Sequence, residues 1–191
     1  MDTDMKAPRL LLISGPSCSG KTTLAKKLAE AFPPEKVLVI SQDSWFKDLC
    51  DIPVRNRAYD MECTGAFHCD KFADAVTRWM QGRPAFLPEY LVAENRAAGG
   101  RFIESRENIV AEGLHTILLL KPLFAEARAI FLNTPKEVCL ERRIERDTKL
   151  YGVSAERVAE RFLGSILPSY GEYAVRQMQM ADEVWEGCEI L

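Results

Sequence analysis

Gly15-Pro16-Ser17-Cys18-Ser19-Gly20-Lys21-Thr22 fits the pattern G-x-x-x-x-G-K-[ST] at every fixed position. Each part has a physical task. The two glycines let the chain fold back so that its amides point inward around an anion. The helix that follows adds the positive end of its dipole. Lys21 suits β- and γ-phosphate oxygens, and the Thr22 hydroxyl suits Mg²⁺. With glycine at about 7% of residues, chance alone gives this pattern in roughly one chain of this length in a hundred. Chance does not also supply its setting, between an apolar run and an amphipathic helix. Gly15, Pro16, Ser17, Cys18, Ser19, Gly20, Lys21, Thr22 and Thr23 are therefore expected to bind ATP with Mg²⁺.

Working outward, residues 9–14 (RLLLIS) read as a buried parallel strand. Residues 21–32 read as a helix with Leu24, Leu28 and Ala31 on one face, stopped by Pro33-Pro34. Residues 36–41 (KVLVIS) read as a second strand, which completes a right-handed βαβ unit. Residues 70–81 predict a helix with Phe72, Ala75, Val76, Trp79 and Met80 inward and Gly82 as its cap. Residues 84–105 predict an irregular hairpin projecting from the sheet, and residues 108–112 (NIVAE) a third core strand. A short helix over 122–127 and a strand over 129–132 follow. Then come a charged helix over 135–149 and a helix capped by Ser154 and running to Leu163. Pro168 is expected to interrupt, with helix resuming over 172–180 and a last strand over 183–185. The alternation implies one α/β domain with a parallel sheet covered on both faces.

Composition bounds the function. The 191 residues suit one domain, and 47% hydrophobic with 28% charged is an ordinary globular balance. A net charge of −3 argues against nucleic acid as a partner. No apolar run reaches the roughly 18 residues of a membrane span. Residues 1–9 lack the apolar core of a secretion signal. The expected partner is a small hydroxyl substrate and the expected location cytoplasmic. Six cysteines without a CxxC pair read as reduced thiols, and Cys63, His68 and Cys69 as packed side chains rather than a zinc site.

The second strand ends Ile40-Ser41-Gln42-Asp43-Ser44-Trp45-Phe46. In an open parallel sheet the strand ends carry the site. Asp43 is then either a base for a hydroxyl proton or a turn and capping aspartate. Glu112 is either a Mg²⁺ anchor or an ordinary strand-end acid. Arg143 and Arg146, three apart, share a helix face that holds phosphate or is merely solvated.

These residues resemble the uridine kinase-like kinases, a group including uridine-cytidine kinases and nicotinamide riboside kinases. The likeness runs from about residue 9 to 185. It is strong at the phosphate loop and ISQDSWF, moderate at IVAEG and RRIERD, and weak elsewhere. It implies the P-loop NTPase three-layer α/β fold, with a five-stranded parallel sheet, flanking helices, a hairpin insertion near 84–105 and a lid near 141–154. It implies transfer of the γ-phosphoryl of ATP to the 5′-hydroxyl of a ribonucleoside. By the same resemblance Asp43 is the base and lies near the metal, and Thr22 and Glu112 hold Mg²⁺. Arg146 serves the transferred phosphate, Arg143 the acceptor sugar and lid closure, and Asp60 the ribose hydroxyls. Arg142 falls outside this set and reads as structural.

The chain departs from that group where the base is read. Tyr90 is kept, either to stack on a ring or to pack the hairpin. Leu91 to Asn95 differ, Tyr151 and Val153 replace later lid arginines, and Arg161 stands for a base-contacting glutamine. A Met-Glu-Cys-Thr-Gly insert follows Asp60. Two rivals remain open: a nucleoside monophosphate kinase using Arg83, Arg96 and Arg101, and a nucleotide-dependent switch.

Overall fold

A computed structural model describes residues 9–55, 58–92 and 94–186. The polar start of the chain, Cys188, and Ala93 within the altered stretch lie outside the described residues.

The chain opens with β1 (Arg9–Ser14), α1 (Lys21–Ala29) and β2 (Val37–Ser41). Two short strands follow, β3 (Val54–Arg55) and β4 (Ala58–Tyr59), then α2 (Cys69–Met80). The hairpin is β5 (Ala85–Leu91) with β6 (Arg96–Ile103). Next come β7 (Asn108–Gly113), α3 (Thr116–Leu120) and β8 (Arg128–Leu132). Helices α4 (Lys136–Tyr151), α5 (Ala155–Arg161) and α6 (Leu167–Met180) precede the last strand, β9 (Glu183–Trp185).

Five strands form one sheet in the order β2-β7-β1-β8-β9, and every pairing is parallel. Alternation along each strand sends side chains to opposite faces. Leu10, Leu12, Ile109 and Ala111 join Phe72, Trp79, Ile117 and Leu120 on the face covered by α2, α3 and α6. Ile13, Val110 and Ile130 meet Leu24 and Ala25 of α1 on the other. The expected three layers and five-stranded sheet are present.

Four local expectations need correction. Helix α1 ends at Ala29, not Phe32, and the chain leaves it through turns from Ala31 N–H to Leu28 O and Phe32 N–H to Ala29 O. The residue before a proline is disfavoured in the helical region, so Phe32 before Pro33 unwinds the end early. The short helix near 122–127 is a set of turns. The helix of this segment is α3, whose Ile117 N–H is held by the Ser14 hydroxyl at 2.9 Å. Pro168 does not interrupt. A wide π-helical turn over Phe162–Ile166, closed by Leu167 N–H to Phe162 O, joins α5 to α6 in one rod, and Pro168 follows directly on that widened turn. A second small ribbon, β3 with β4, was not foreseen.

Candidate active site

The sheet order explains why the site forms where it does. Strand β7 lies between β1 and β2, with Glu112 level with both Ile13 and Ser41. The phosphate loop leaves β1, Asp43 follows β2, and Glu112 sits between them. Strands are spaced about 4.8 Å apart, so three segments distant in sequence meet within about 10 Å. All open into one cleft of about 910 Å³.

The loop has the strained backbone that its motif requires. Cys18 takes φ 65° and Gly20 φ 101°. A Cβ on Gly15 would meet Leu132 O at 2.7 Å, so only glycine fits there. Lys21 is buried and its ammonium donates to Pro16 O at 2.8 Å, resting on the loop's own backbone. The Ser19 hydroxyl is buried without a partner. Thr22 donates to Glu112 Oε1 at 3.1 Å. A cradle with a poised cation, an orphaned hydroxyl and a hydroxyl–carboxylate pair fits a nucleotide phosphate and its Mg²⁺.

Asp43 lies in a short 3₁₀ turn, Gln42–Trp45, whose inward residues fix it. Trp45 is buried against Phe72, and Gln42 Oε1 accepts the His115 N–H at 2.8 Å. The cap of this turn is Ser41, whose hydroxyl accepts the Asp43 N–H at 3.4 Å. The Asp43 side chain is thus released from capping and lines the cleft. The dense cleft floor, and next the negative charge of Glu112, raise its carboxyl from 3.8 to about 6, while Lys21 pulls it down.

Helix α4 delivers three arginines to the cleft: Arg142, Arg143 and Arg146. Arg142, read as structural and pointing elsewhere, does point into the cleft, and its guanidinium donates to Cys18 O at 3.4 Å and Ser19 O at 3.3 Å, a structural brace on the phosphate loop. Arg143, nearly buried, pairs with Glu62 Oε1 at 3.3 Å and Asp147 at 3.5 Å. Arg146 donates to Asp147 at 2.8 Å and is half exposed.

The residues expected at the acceptor divide. Tyr90 lines the cleft, packs its ring on Phe46 at 5.4 Å and donates to Lys47 O at 3.2 Å, so it packs the hairpin and faces the site at once. Val92 and Asn95 also reach the cleft, and Leu49 N–H to Asn95 O at 3.2 Å ties the hairpin tip to the segment after Asp43. Asp60 is not among the cleft-lining residues. It is buried, with the Ser169 hydroxyl on its two oxygens at 2.7 and 2.8 Å and the Glu62 N–H at 3.2 Å. The carboxylate that this segment brings to the cleft is Glu62. Sequence reasoning missed it because it lies in the insert, where the resemblance offers no match.

The arginines of the monophosphate reading do not converge. Arg96 pairs with Glu94 at 2.7 Å, Arg83 contacts Gln81, and Arg101 borders a separate cavity. Arg157 and Arg161 of α5 line the main cleft instead, with no ion pair to a described residue. Burial and the neighbouring Arg143 lower the pKa of Arg161. Among the described residues no group of three or more His, Cys, Asp and Glu is placed to hold a metal. Cys63 and Cys69 donate to the Asp60 and Thr64 carbonyls, as packed thiols do. Among the described residues no helix is long and apolar enough to cross a membrane.

Known proteins agree with this geometry. A family model described as the Phosphoribulokinase / Uridine kinase family matches residues 10–188. The chain is 26% identical to a uridine kinase of Streptococcus gordonii over 93% of its own length and 85% of that protein. It is 30% identical to a uridine kinase of Schizosaccharomyces pombe over 91% of its own length, but spans only 39% of that protein. A solved structure from Silicibacter sp. TM1040, carrying a provisional name of fructose transport system kinase, shares the fold. Its TM-score is 0.75 at 20% identity, over 97% of this chain and 93% of that one. With loop, sheet order and family model coinciding over nearly the whole length, the chain belongs to the phosphoribulokinase / uridine kinase family and is a kinase transferring phosphate to a hydroxyl group.

Proposed function

We propose that this kinase uses ATP and Mg²⁺ to phosphorylate the 5′-hydroxyl of a ribonucleoside or a similar small hydroxyl metabolite. The observation that carries the reading is the convergence of the phosphate loop, Glu112 and a released Asp43 in one cleft. Residues 15–23 would cradle the phosphates, with Lys21 leaving Pro16 O to reach them. Thr22, Asp43 and Glu112 would hold Mg²⁺, which supplies charge neutralisation at the phosphate oxygens. Asp43 accepts the proton of the acceptor hydroxyl as the new P–O bond forms and the bond to ADP breaks. Arg146 stabilises the transferring oxygens, and Arg143 fixes the acceptor side. Residues 141–154 act as a lid, whose closure excludes water and brings Arg146 in.

A second reading rests on Arg157 and Arg161, which face the cleft with no carboxylate partner among the described residues. They suit an acceptor that itself carries an anionic group, such as a nucleoside monophosphate. One panel separates the two: nucleosides, their 5′-monophosphates and small polyols, followed by ADP release at fixed ATP and Mg²⁺. Turnover with nucleosides supports the first reading, and turnover restricted to monophosphates replaces it with the second. ATP binding without turnover on any hydroxyl compound removes both.

A further inference from the structure

We infer that Arg157 and Arg161 of α5 form an anion subsite on the acceptor side of the cleft, and that the acceptor is a hydroxyl compound carrying an anionic group. This rests on the kinase reading above and deepens it. The group held by the two arginines is not the one that reacts, so the acceptor is a phosphate ester or a carboxylate with a free hydroxyl.

Both side chains line the cleft and are accessible in it. Neither guanidinium has an ion pair or a side-chain hydrogen bond to a described residue. Four apart on one helix, they share a face, where like charges disfavour each other. The charges of Arg143 and Arg157 both act against that of Arg161, and the surrounding cleft wall adds to the cost. The other arginines of the cleft are engaged. Arg142 braces the loop, Arg143 pairs with Glu62 and Asp147, and Arg146 pairs with Asp147. An anion with several acceptor oxygens turns the repulsion of the remaining pair into attraction. A neutral acceptor leaves both cations uncompensated when closure excludes water.

The neighbours of each arginine separate donor from acceptor. Arg146 has Asp147, Cys18 of the phosphate loop and Tyr151 around it. Around Arg161 stand Arg143, Glu62 and Asp147, and Glu62 acts in turn on Asp43. Arg161 is therefore linked to the base through Glu62, on the side where the acceptor lies. The helix that carries the pair is fixed at both ends. Ser154 caps it through the Arg157 N–H at 3.4 Å, and Val158 between the two arginines is buried. The wide turn then carries α5 into α6, whose Ser169 bonds Asp60 at 2.7 Å. Two guanidinium forks on a held helix are preorganised for an anion.

The test uses the full chain in two arms. In the first, ADP release is followed at saturating ATP and Mg²⁺ with glycerol, glycerol 3-phosphate and D-glycerate, with ribose and ribose 5-phosphate, and with uridine. The wild type should favour an anionic compound over its neutral parent by about 10- to 100-fold in kcat/KM, and the esters and the acid distinguish phosphate from carboxylate. Arg157→Gln and Arg161→Gln should each lower that preference about tenfold, through the KM of the acceptor and with the KM for ATP unchanged. In the second arm, inorganic phosphate is titrated calorimetrically into the chain saturated with Mg²⁺ and a non-hydrolysable ATP analogue. One phosphate should bind, and the double variant Arg157→Gln/Arg161→Gln should bind it at least about tenfold more weakly. Turnover confined to the neutral compounds overturns the subsite and leaves the kinase reading standing. A raised KM for ATP in either variant, with the preference intact, assigns the arginines to the donor phosphates and also overturns it. If nothing in this set turns over, the titration decides: binding weakened in the double variant supports the subsite, and no binding to the wild type overturns it.

Discussion

Replacing Asp43 with asparagine should stabilise the fold while removing its chemistry. The cleft floor and Glu112 raise the Asp43 carboxyl from 3.8 to about 6. The folded chain then holds this proton more tightly than the unfolded chain does. By linkage, the favourable contribution is complete below about pH 4 and is lost as pH rises through about 6. Above that, the ionised carboxylate carries a constant penalty that a neutral asparagine lacks. At ~1.4 kcal/mol for each tenfold change in proton affinity, the upper limit is about 3 kcal/mol. Asp43 has exposed surface in an open cleft, so water screens much of this, and about 1 kcal/mol is expected. In a chain of this size that corresponds to a melting point roughly 2–4 °C higher. Thermal melts of both proteins between pH 4 and 8 would show the gap opening from about pH 4 and levelling above about 6. At neutral pH the variant should lose about 10²–10⁴ in kcat with little change in ATP affinity. A gap independent of pH, or a variant less stable than wild type at pH 7, would refute the crowding argument. Full activity would remove Asp43 as the base.

Two further outcomes follow from the same geometry. Gly113→Ala places a Cβ at 2.4 Å from Gln42 Cβ and 2.6 Å from its Oε1, behind the turn that carries Asp43. Overpacking and the disturbed His115 N–H bond should cost about 2–4 kcal/mol in denaturant unfolding and lower kcat; a wild-type midpoint would contradict this. Glu112→Gln keeps the shape but removes the charge that accepts the Thr22 hydroxyl. The Mg²⁺ concentration for half-maximal activity should rise about 10- to 100-fold, and an unchanged requirement would take Glu112 out of the metal site.

Much of the molecule was legible because it is local. The glycine-rich loop, the apolar runs of β1, β2 and β7, and the one-sided helix α2 each carry their structure in short-range pattern. The bounds that failed are those where a neighbour outvotes pattern. Helix α3 is only five residues long and starts where Ser14 supplies a hydroxyl from another strand. The wide turn at Phe162–Ile166 hides Pro168 inside a helical rod that periodicity reads as broken. Arg142 could not be placed at the loop from spacing, because its partners, Cys18 and Ser19, are over 120 residues away.

The phosphate loop, the class of fold and the acids at the ends of β2 and β7 are legible in the order of residues alone, since each depends on residue type at fixed short spacing. Which carboxylate faces the cleft is settled by contacts between distant segments. Asp60 and Glu62 are two residues apart in one segment, and nothing local ranks them. Ser169, in a helix more than a hundred residues on, takes Asp60 into the interior, and His115 and Arg143 leave Glu62 at the cleft with one oxygen unsatisfied. A buried hydrogen bond from a distant helix is a long-range energy, and it has no imprint on local spacing.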